Sequence, residues 1–141
     1  TGGTITGTSQ MLKLARPDIS VIAVEPENAA LLSGAQWQPH KIQGWTPDFI
    51  PGVLDKSVVD ELVLVSDEES IETAKQLASQ EGIFCGISAG GTMAAALKFA
   101  KSAPEGKTFV VMLPDTGERY LSSPLFADIS EASDDEWLAA Q

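Results

Sequence analysis

Runs of β-branched and apolar residues alternate along the chain with segments of helical periodicity, and this alternation constrains the fold more than any other feature. Residues 20–26, 58–66 and 107–113 are predicted strands. The segments between them are too long for hairpins, so they imply crossovers between parallel strands. We therefore predict an α/β domain with an open, mostly parallel twisted sheet flanked by helices.

Local signals predict the helix boundaries. A helix is expected to begin near Ile5, directly after the opening residues TGGT. Ser66 and Glu69 have the spacing of a capping box, in which each side chain accepts a hydrogen bond from the other's backbone amide. Gly82 is expected to end that helix.

The remaining segments are assigned from their composition. A short helix is predicted over residues 28–34, a brief strand over 82–87 and an alanine-rich helix over 88–103. The small residues of the last helix indicate close packing against neighbours. Residues 35–54 are rich in proline and glycine and are expected to form a long loop, which in a compact domain is often functional.

Composition limits the function classes. The chain has 141 residues, enough for one domain with a core, and its net charge of −11 argues against nucleic acid or an anionic membrane as partner. Cys85 is the single cysteine, so no internal disulfide is possible, and a cytoplasmic location is expected. No apolar run approaches the length of a membrane span. Residues 1–127 are predicted to form the domain and residues 128–141 an acidic tail.

The opening loop is a candidate phosphate site. Gly2 and Gly3 allow the backbone to approach a bulky anion, Thr1 and Thr4 add hydroxyls, and the following helix offers free amides and the positive end of its dipole. The alternative is a turn that needs glycine only for its conformation. No lysine is near enough to suggest a nucleoside triphosphate.

Ser88, in the run GISAGG, is a candidate for either of two roles. It could cap the following helix, or it could donate a hydrogen bond to a ring nitrogen of a bound cofactor. Although G-x-S-x-G is the motif of a hydrolase nucleophile, the acid and histidine of that class follow the serine, and the single histidine, His40, precedes it. His40 is expected to face solvent or brace its loop, and Cys85 to be a small buried apolar residue. No residue spacing suggests a metal.

Four motifs together resemble the cysteine synthase (O-acetylserine sulfhydrylase) family of pyridoxal-phosphate (PLP) enzymes. They are TGGT at residues 1–4, HKIQGWTPDFIP at 40–51, GISAGG at 86–91 and PDTGERY at 114–120, in the family's order. The resemblance extends to about Phe126. It implies a fold type II PLP enzyme, of which this chain looks like the C-terminal part of the large domain.

The resemblance also implies a chemistry. Thr1, Gly2, Gly3 and Thr4 would bind the cofactor phosphate, and Ser88 would hydrogen-bond the pyridine nitrogen. A neutral hydroxyl there would leave that nitrogen unprotonated, which suits elimination of a β-leaving group. The implied reaction is a transferase step of cysteine biosynthesis, in which O-acetyl-L-serine and sulfide give L-cysteine through an aminoacrylate intermediate.

The missing N-terminal part is implied as a partner of this chain. In the family that part supplies the Schiff-base lysine, so no catalytic residue is assigned in this chain, and the chain alone is expected to be inactive. A homodimer and a complex with serine acetyltransferase are the other implied partners.

Departures from the family pattern leave alternatives open. Trp45 and Pro47 add bulk and stiffness to a segment that borders the active site in the family, and Ala89 replaces a second serine. These changes leave the sulfur donor undecided between sulfide and donors such as thiosulfate. Cystathionine β-synthase-type chemistry, serine or threonine dehydratase chemistry and a non-catalytic phosphate-binding fragment are the remaining alternatives.

Overall fold

The computed structural model describes residues 1–129 and 134–139 of the chain. Short 3-10 helices connect some of the regular elements. The elements, in chain order, are helix α1 (Gly3–Ala15), strand β1 (Ile22–Pro26), 3-10 helices at Glu27–Ala29 and Lys56–Val58, strand β2 (Glu61–Val65), helices α2 (Asp67–Glu81) and α3 (Ile87–Ala100), a 3-10 helix at Gly117–Tyr120, and helix α4 (Asp134–Ala139).

Strands β1 and β2 pair in parallel, from Ile22 opposite Glu61 to Pro26 opposite Val65. The two corresponding strand predictions are therefore confirmed, with later starting residues. Asp60 precedes β2 and accepts hydrogen bonds at 2.7 Å from the backbone amide of Val21 and from Lys13 Nζ. These bonds tie the C-terminal turn of α1 to the start of both strands.

Helix α2 begins and ends where the sequence predicts. Glu69 N donates to Ser66 Oγ at 3.1 Å and Ser66 N to Glu69 Oε2 at 2.9 Å, which completes the capping box. Gly82 ends the helix with a φ of +70°, a left-handed conformation that favours glycine.

Helix α3 packs closely on α2 through Gly90. A Cβ atom at this position would lie 2.7 Å from Ala74 N and 2.8 Å from Ala74 Cβ, and would also meet the carbonyl oxygen of Ser70. The absence of a side chain therefore sets the distance between the helices, and the predicted close packing is confirmed.

The core lies between β2, α2, α3 and the segments that follow α3. Ile42 and Leu125, from two loops, are among its fully buried side chains. Its buried members are Ile42, Val65, Ala74, Leu77, Cys85, Ile87, Ala89, Ala94, Ala95, Tyr120 and Leu125.

The predicted helix over residues 28–34 is wrong. Only Glu27–Ala29 are helical, as one 3-10 turn, and residues 31–34 form a turn around the buried carboxylate of Glu25. The amides of Leu32 and Ser33 donate to that carboxylate at 2.7 and 3.2 Å. Because these amides bond a side chain, they do not take part in a helical ladder.

The strands predicted over 82–87 and 107–113 are also absent from the described part of the chain. Cys85 forms a single antiparallel bridge with Thr116, and residues 107–114 have no regular structure. Val110 is 94% exposed. An apolar β-branched composition predicts an extended chain, but a strand also requires a neighbouring backbone to bond.

The predicted acidic tail, residues 128–141, begins with an ion pair and contains helix α4. Both carboxylate oxygens of Asp128 lie 2.8 Å from Lys75 Nζ. Residues 130–133, 140 and 141 of this tail lie outside the described residues. The division into a domain and a tail stays a prediction.

Within the described ranges, the helices are all too short or too polar to cross a bilayer.

Candidate functional site

The opening loop presents an uncapped helix N-terminus. Gly2 precedes α1 with a φ of +86°, no side chain of a described residue bonds the first amides of the helix, and its first turn has no acidic residue. Thr1, Gly3 and Thr4 are exposed. Unpaired amides, two hydroxyls and the positive end of the helix dipole therefore face solvent together, as a phosphate site requires.

Leu54 and Asp55 contact the opening loop and the first turn of α1. A Cβ atom at Gly2 would lie 2.7 Å from Leu54 Cβ, whereas one at Gly3 would meet no protein atom within 4 Å. Asp55 N donates to Thr6 Oγ1 at 3.0 Å. Gly2 is therefore needed for packing and conformation, while Gly3 leaves free space beside the helix amides.

Ser88 is not a helix cap. Helix α3 begins at Ile87, with Gly86 in the cap position and no side-chain capping bond, so the capping interpretation is wrong. Ser88 is 4% exposed. Among the described residues its hydroxyl makes no hydrogen bond. A hydroxyl at a helix N-terminus that lacks a protein partner is free to bond a ligand.

Asp115 and Tyr120 join the motif PDTGERY, residues 114–120, to the start of α3. The Tyr120 hydroxyl donates to Asp115 Oδ2, and Gly86 N donates to the Asp115 carbonyl at 3.3 Å. A side chain at Gly86 would collide with Asp115 Oδ1 and with the Tyr120 ring. Burial, then the hydrogen bond to Asp115, raises the pKa of Tyr120 to about 12.

This pair was not predicted from the sequence. Its members are five residues apart across a turn and a 3-10 helix, so no helical or strand periodicity relates them. The nearest signal was the tyrosine at the end of the motif PDTGERY.

Cys85 is buried, as predicted. Burial, followed by the negative charge of Asp115, raises the pKa of its thiol. Since the thiolate is the nucleophilic form, Cys85 is not suited to nucleophilic catalysis at neutral pH.

The long loop is braced by His40, in agreement with one of the two roles predicted for it. Its Nε2 lies 3.3 Å from the carbonyl oxygen of Thr46, and Trp37 Nε1 donates to the same oxygen at 3.0 Å. Thr46 has a φ of +31°, which a non-glycine residue rarely adopts. We call Trp37, His40 and Thr46 the loop clamp.

The same loop contacts helix α3 through Trp45. A Cβ atom at Gly91 would lie 2.9 Å from Trp45 Cη2, and Gly91 is in the first turns of α3. The fully buried Ile42 and a 2.9 Å hydrogen bond from Lys41 N to Asp67 Oδ2 fix the loop on the other side.

The structure thus brings together the motifs GISAGG and PDTGERY, and the long loop contacts the first of them. Asp115 and Tyr120 touch the start of α3, and Trp45 covers Gly91. No hydrogen bond within residues 1–129 links Thr1–Thr4 to Ser88, so their convergence on one ligand stays a prediction. Both sites fit their predicted partners, since one offers amides and hydroxyls for a phosphate and the other a hydroxyl that bonds no other residue in the described part of the chain.

A parallel α/β unit with a glycine-containing helix N-terminus and a second helix that starts with a buried hydroxyl is typical of domains that bind phosphorylated cofactors. Residues 1–115 match the family model of the pyridoxal-phosphate dependent enzymes, and the chain belongs to this family. The predicted cofactor, PLP, and the predicted fold class are confirmed.

Relatives with an assigned activity are similar over most of the chain. It is 56% identical over 140 residues to O-ureido-L-serine synthase of Streptomyces lavendulae. The aligned region covers 99% of this chain and 43% of that protein. It is 43% identical over 127 residues to cysteine synthase of Staphylococcus aureus, and this aligned region covers 90% of this chain and 41% of that protein. The resemblance to the cysteine synthase family is confirmed.

Solved structures agree with these relatives. A mutant of O-ureido-L-serine synthase with O-ureido-L-serine bound superimposes with a TM-score of 0.92 and 55% identity, over 97% of this chain and 43% of that one. A cysteine synthase of Entamoeba histolytica gives a TM-score of 0.87 and 38% identity, over 99% and 42%. The chain therefore spans less than half the length of the relatives it matches.

Proposed function

We propose that the whole protein containing this chain catalyses PLP-dependent β-replacement on O-acetyl-L-serine, with N-hydroxyurea as the incoming nucleophile and O-ureido-L-serine as product. The higher identity to O-ureido-L-serine synthase than to cysteine synthase carries this proposal. In the net reaction the bond between Cβ and the acetyl oxygen breaks and acetate leaves with the electron pair. The hydroxyl oxygen of N-hydroxyurea bonds Cβ and releases its proton.

N-hydroxyurea follows from the structure of the product. The ureido nitrogen of O-ureido-L-serine is bonded to the side-chain oxygen. A reaction that forms the bond between Cβ and that oxygen therefore needs a nucleophile in which oxygen and nitrogen are already joined. Sulfide in its place would give L-cysteine by the same replacement.

The residues of this chain supply binding and orientation. When bound, PLP supplies the electron sink that allows loss of a β-leaving group. The amides and hydroxyls of Thr1, Gly2, Gly3 and Thr4 would bind its phosphate. The Ser88 hydroxyl would donate to its ring nitrogen and, being neutral, would leave that nitrogen unprotonated.

Cysteine synthesis from sulfide is the second candidate. The order of the four motifs, from TGGT to PDTGERY, and the 43% identity to cysteine synthase support it. A homodimer and a complex with serine acetyltransferase stay predictions from the resemblance.

The test is a comparison of products. The whole protein with PLP and O-acetyl-L-serine is given N-hydroxyurea, sulfide or thiosulfate, and the products are identified by mass spectrometry. O-ureido-L-serine as the favoured product at equal nucleophile concentrations supports the proposal. Cysteine alone supports the second candidate. Two further incubations contain serine with homocysteine, and O-acetyl-L-serine without a nucleophile. Cystathionine from the first, or a keto acid as the sole product of every incubation with O-acetyl-L-serine, would overturn both.

A further inference from the structure

We propose that Trp45 selects the nucleophile, and that Trp37 and His40 are positioning residues that hold it in place through the carbonyl of Thr46. This inference rests on the proposed function and identifies the part of the chain that separates N-hydroxyurea from sulfide.

The loop clamp fixes the backbone next to Trp45. One carbonyl oxygen, that of Thr46, accepts from Trp37 Nε1 at 3.0 Å and lies 3.3 Å from His40 Nε2. Because the φ of +31° at Thr46 is unfavourable for a side chain, outside contacts are needed to maintain it. Two donors on the carbonyl of that residue are such contacts.

The fixed backbone directs the Trp45 indole onto α3. Its ring contacts the Gly91 position and lies near Ser70 Oγ. Ser88 and Gly91 are three residues apart in α3, so they share a face of the helix. The indole is therefore one turn from the hydroxyl predicted to bond the cofactor ring, and it is only partly buried.

The planar face of the Trp45 indole distinguishes the two nucleophiles. N-hydroxyurea is a planar amide that can stack on an indole face, whereas sulfide has no plane to stack. Loss or misplacement of the indole should therefore weaken the reaction with N-hydroxyurea and leave the reaction with sulfide nearly unchanged.

The experiment compares variants of the whole enzyme with PLP bound. Trp37→Phe keeps an aromatic ring and removes the Nε1 donor. Trp45→Leu removes the planar face itself and serves if the first variant does not fold. Gln38→Ala is the matched control, since Gln38 is an exposed neighbour on the same loop. For each enzyme we measure kcat/KM for N-hydroxyurea and for sulfide at saturating O-acetyl-L-serine, and amide hydrogen exchange of residues 44–48.

We expect the ratio of the two kcat/KM values, N-hydroxyurea over sulfide, to fall about threefold to tenfold in Trp37→Phe and in Trp45→Leu, mainly through the KM for N-hydroxyurea. The control should keep the ratio of the unchanged enzyme. Faster exchange of residues 44–48 in Trp37→Phe would identify the clamp as the cause.

An unchanged ratio in active variants would overturn the selective role of Trp45 while leaving the proposed function intact. If the unchanged enzyme makes no O-ureido-L-serine, the proposed function fails and the selective role fails with it.

Discussion

Gly3 and Ser88 are the two residues at which a binding role can be separated from a role in stability. A Cβ atom at Gly3 would meet nothing within 4 Å among the described residues, and the hydroxyl of Ser88 bonds none of them. Substitutions at both positions therefore report mainly on ligand binding.

Gly3→Leu in the whole protein should weaken PLP binding by about tenfold or more, because the new side chain would block the phosphate from the charge-assisted bonds to the α1 amides. Thermal stability without cofactor should not fall, since leucine favours a helix by about 0.8 kcal/mol over glycine. The measurement is equilibrium binding, followed by the visible absorbance of bound PLP. Gly7→Leu, one turn further along in similarly open space, is the control. Equal affinities in the two variants would contradict the phosphate site.

Ser88→Ala should retain PLP and slow the loss of acetate from O-acetyl-L-serine. The phosphate contacts of Thr1–Thr4 would remain, while the ring nitrogen would lose its donor. Stopped-flow measurement of acetate release, together with the PLP content of the purified enzyme, checks both parts. Release at the rate of the unchanged enzyme would exclude Ser88 from the predicted role.

At the scale of elements, the packing of α3 on α2 depends on Gly90. Gly90→Ala places a methyl group against Ser70 O and Ala74 N, both of which are backbone atoms, so the helices must separate. We expect a loss of about 2–4 kcal/mol in the free energy of unfolding, measured by urea denaturation of the whole protein. Gly7→Ala, which meets nothing within 4 Å, should instead stabilise α1 by about 1 kcal/mol. Similar effects of the two changes would show that the contact is unimportant.

The stability of the folded protein depends on pH through Tyr120, which lies in the segment after α3. Its ordinary pKa of 10.0 is raised to about 12 in the folded protein, mainly by burial and then by Asp115. Since the folded state binds this proton more tightly than the unfolded state, the resulting stability is complete below pH 10 and is lost as the pH rises to 12.

Tyr120→Phe should therefore destabilise the protein by about 1–3 kcal/mol at pH 8, because Asp115 loses its donor, and the difference from the unchanged protein should shrink between pH 10 and 12. Urea denaturation of both proteins across this range measures it. A difference that is constant with pH would show that Tyr120 titrates normally when folded.

At the scale of the whole molecule, prediction from the sequence succeeded where a local signal is sufficient. The capping box of Ser66 and Glu69, the stop at Gly82 and the parallel order of β1 and β2 depend on neighbouring residues or on connection length, and all three are present. The strand over residues 107–113 failed because a ladder needs a distant partner that composition does not reveal.

The residues of the candidate site also fall into two groups, those that a short motif predicts and those that only the structure reveals. The glycines before α1 and Ser88 stand out in short motifs, so they were found from the sequence. The loop clamp and the pair of Asp115 with Tyr120 arise from turns that bring residues together without regular spacing. No periodicity could identify them.

The two contacts that meet at the carbonyl oxygen of Thr46 also limit how this loop can be exchanged between homologues. A shorter graft that carries only residues 44–48 of a homologue would bring a different backbone conformation to position 46, and its carbonyl would then no longer lie within reach of Trp37 Nε1 and His40 Nε2. If Trp45 selects the nucleophile as proposed, an exchange of nucleophile preference between homologues has to transfer positions 37–47 together, because Trp37 and His40 fix the backbone that carries the Trp45 indole.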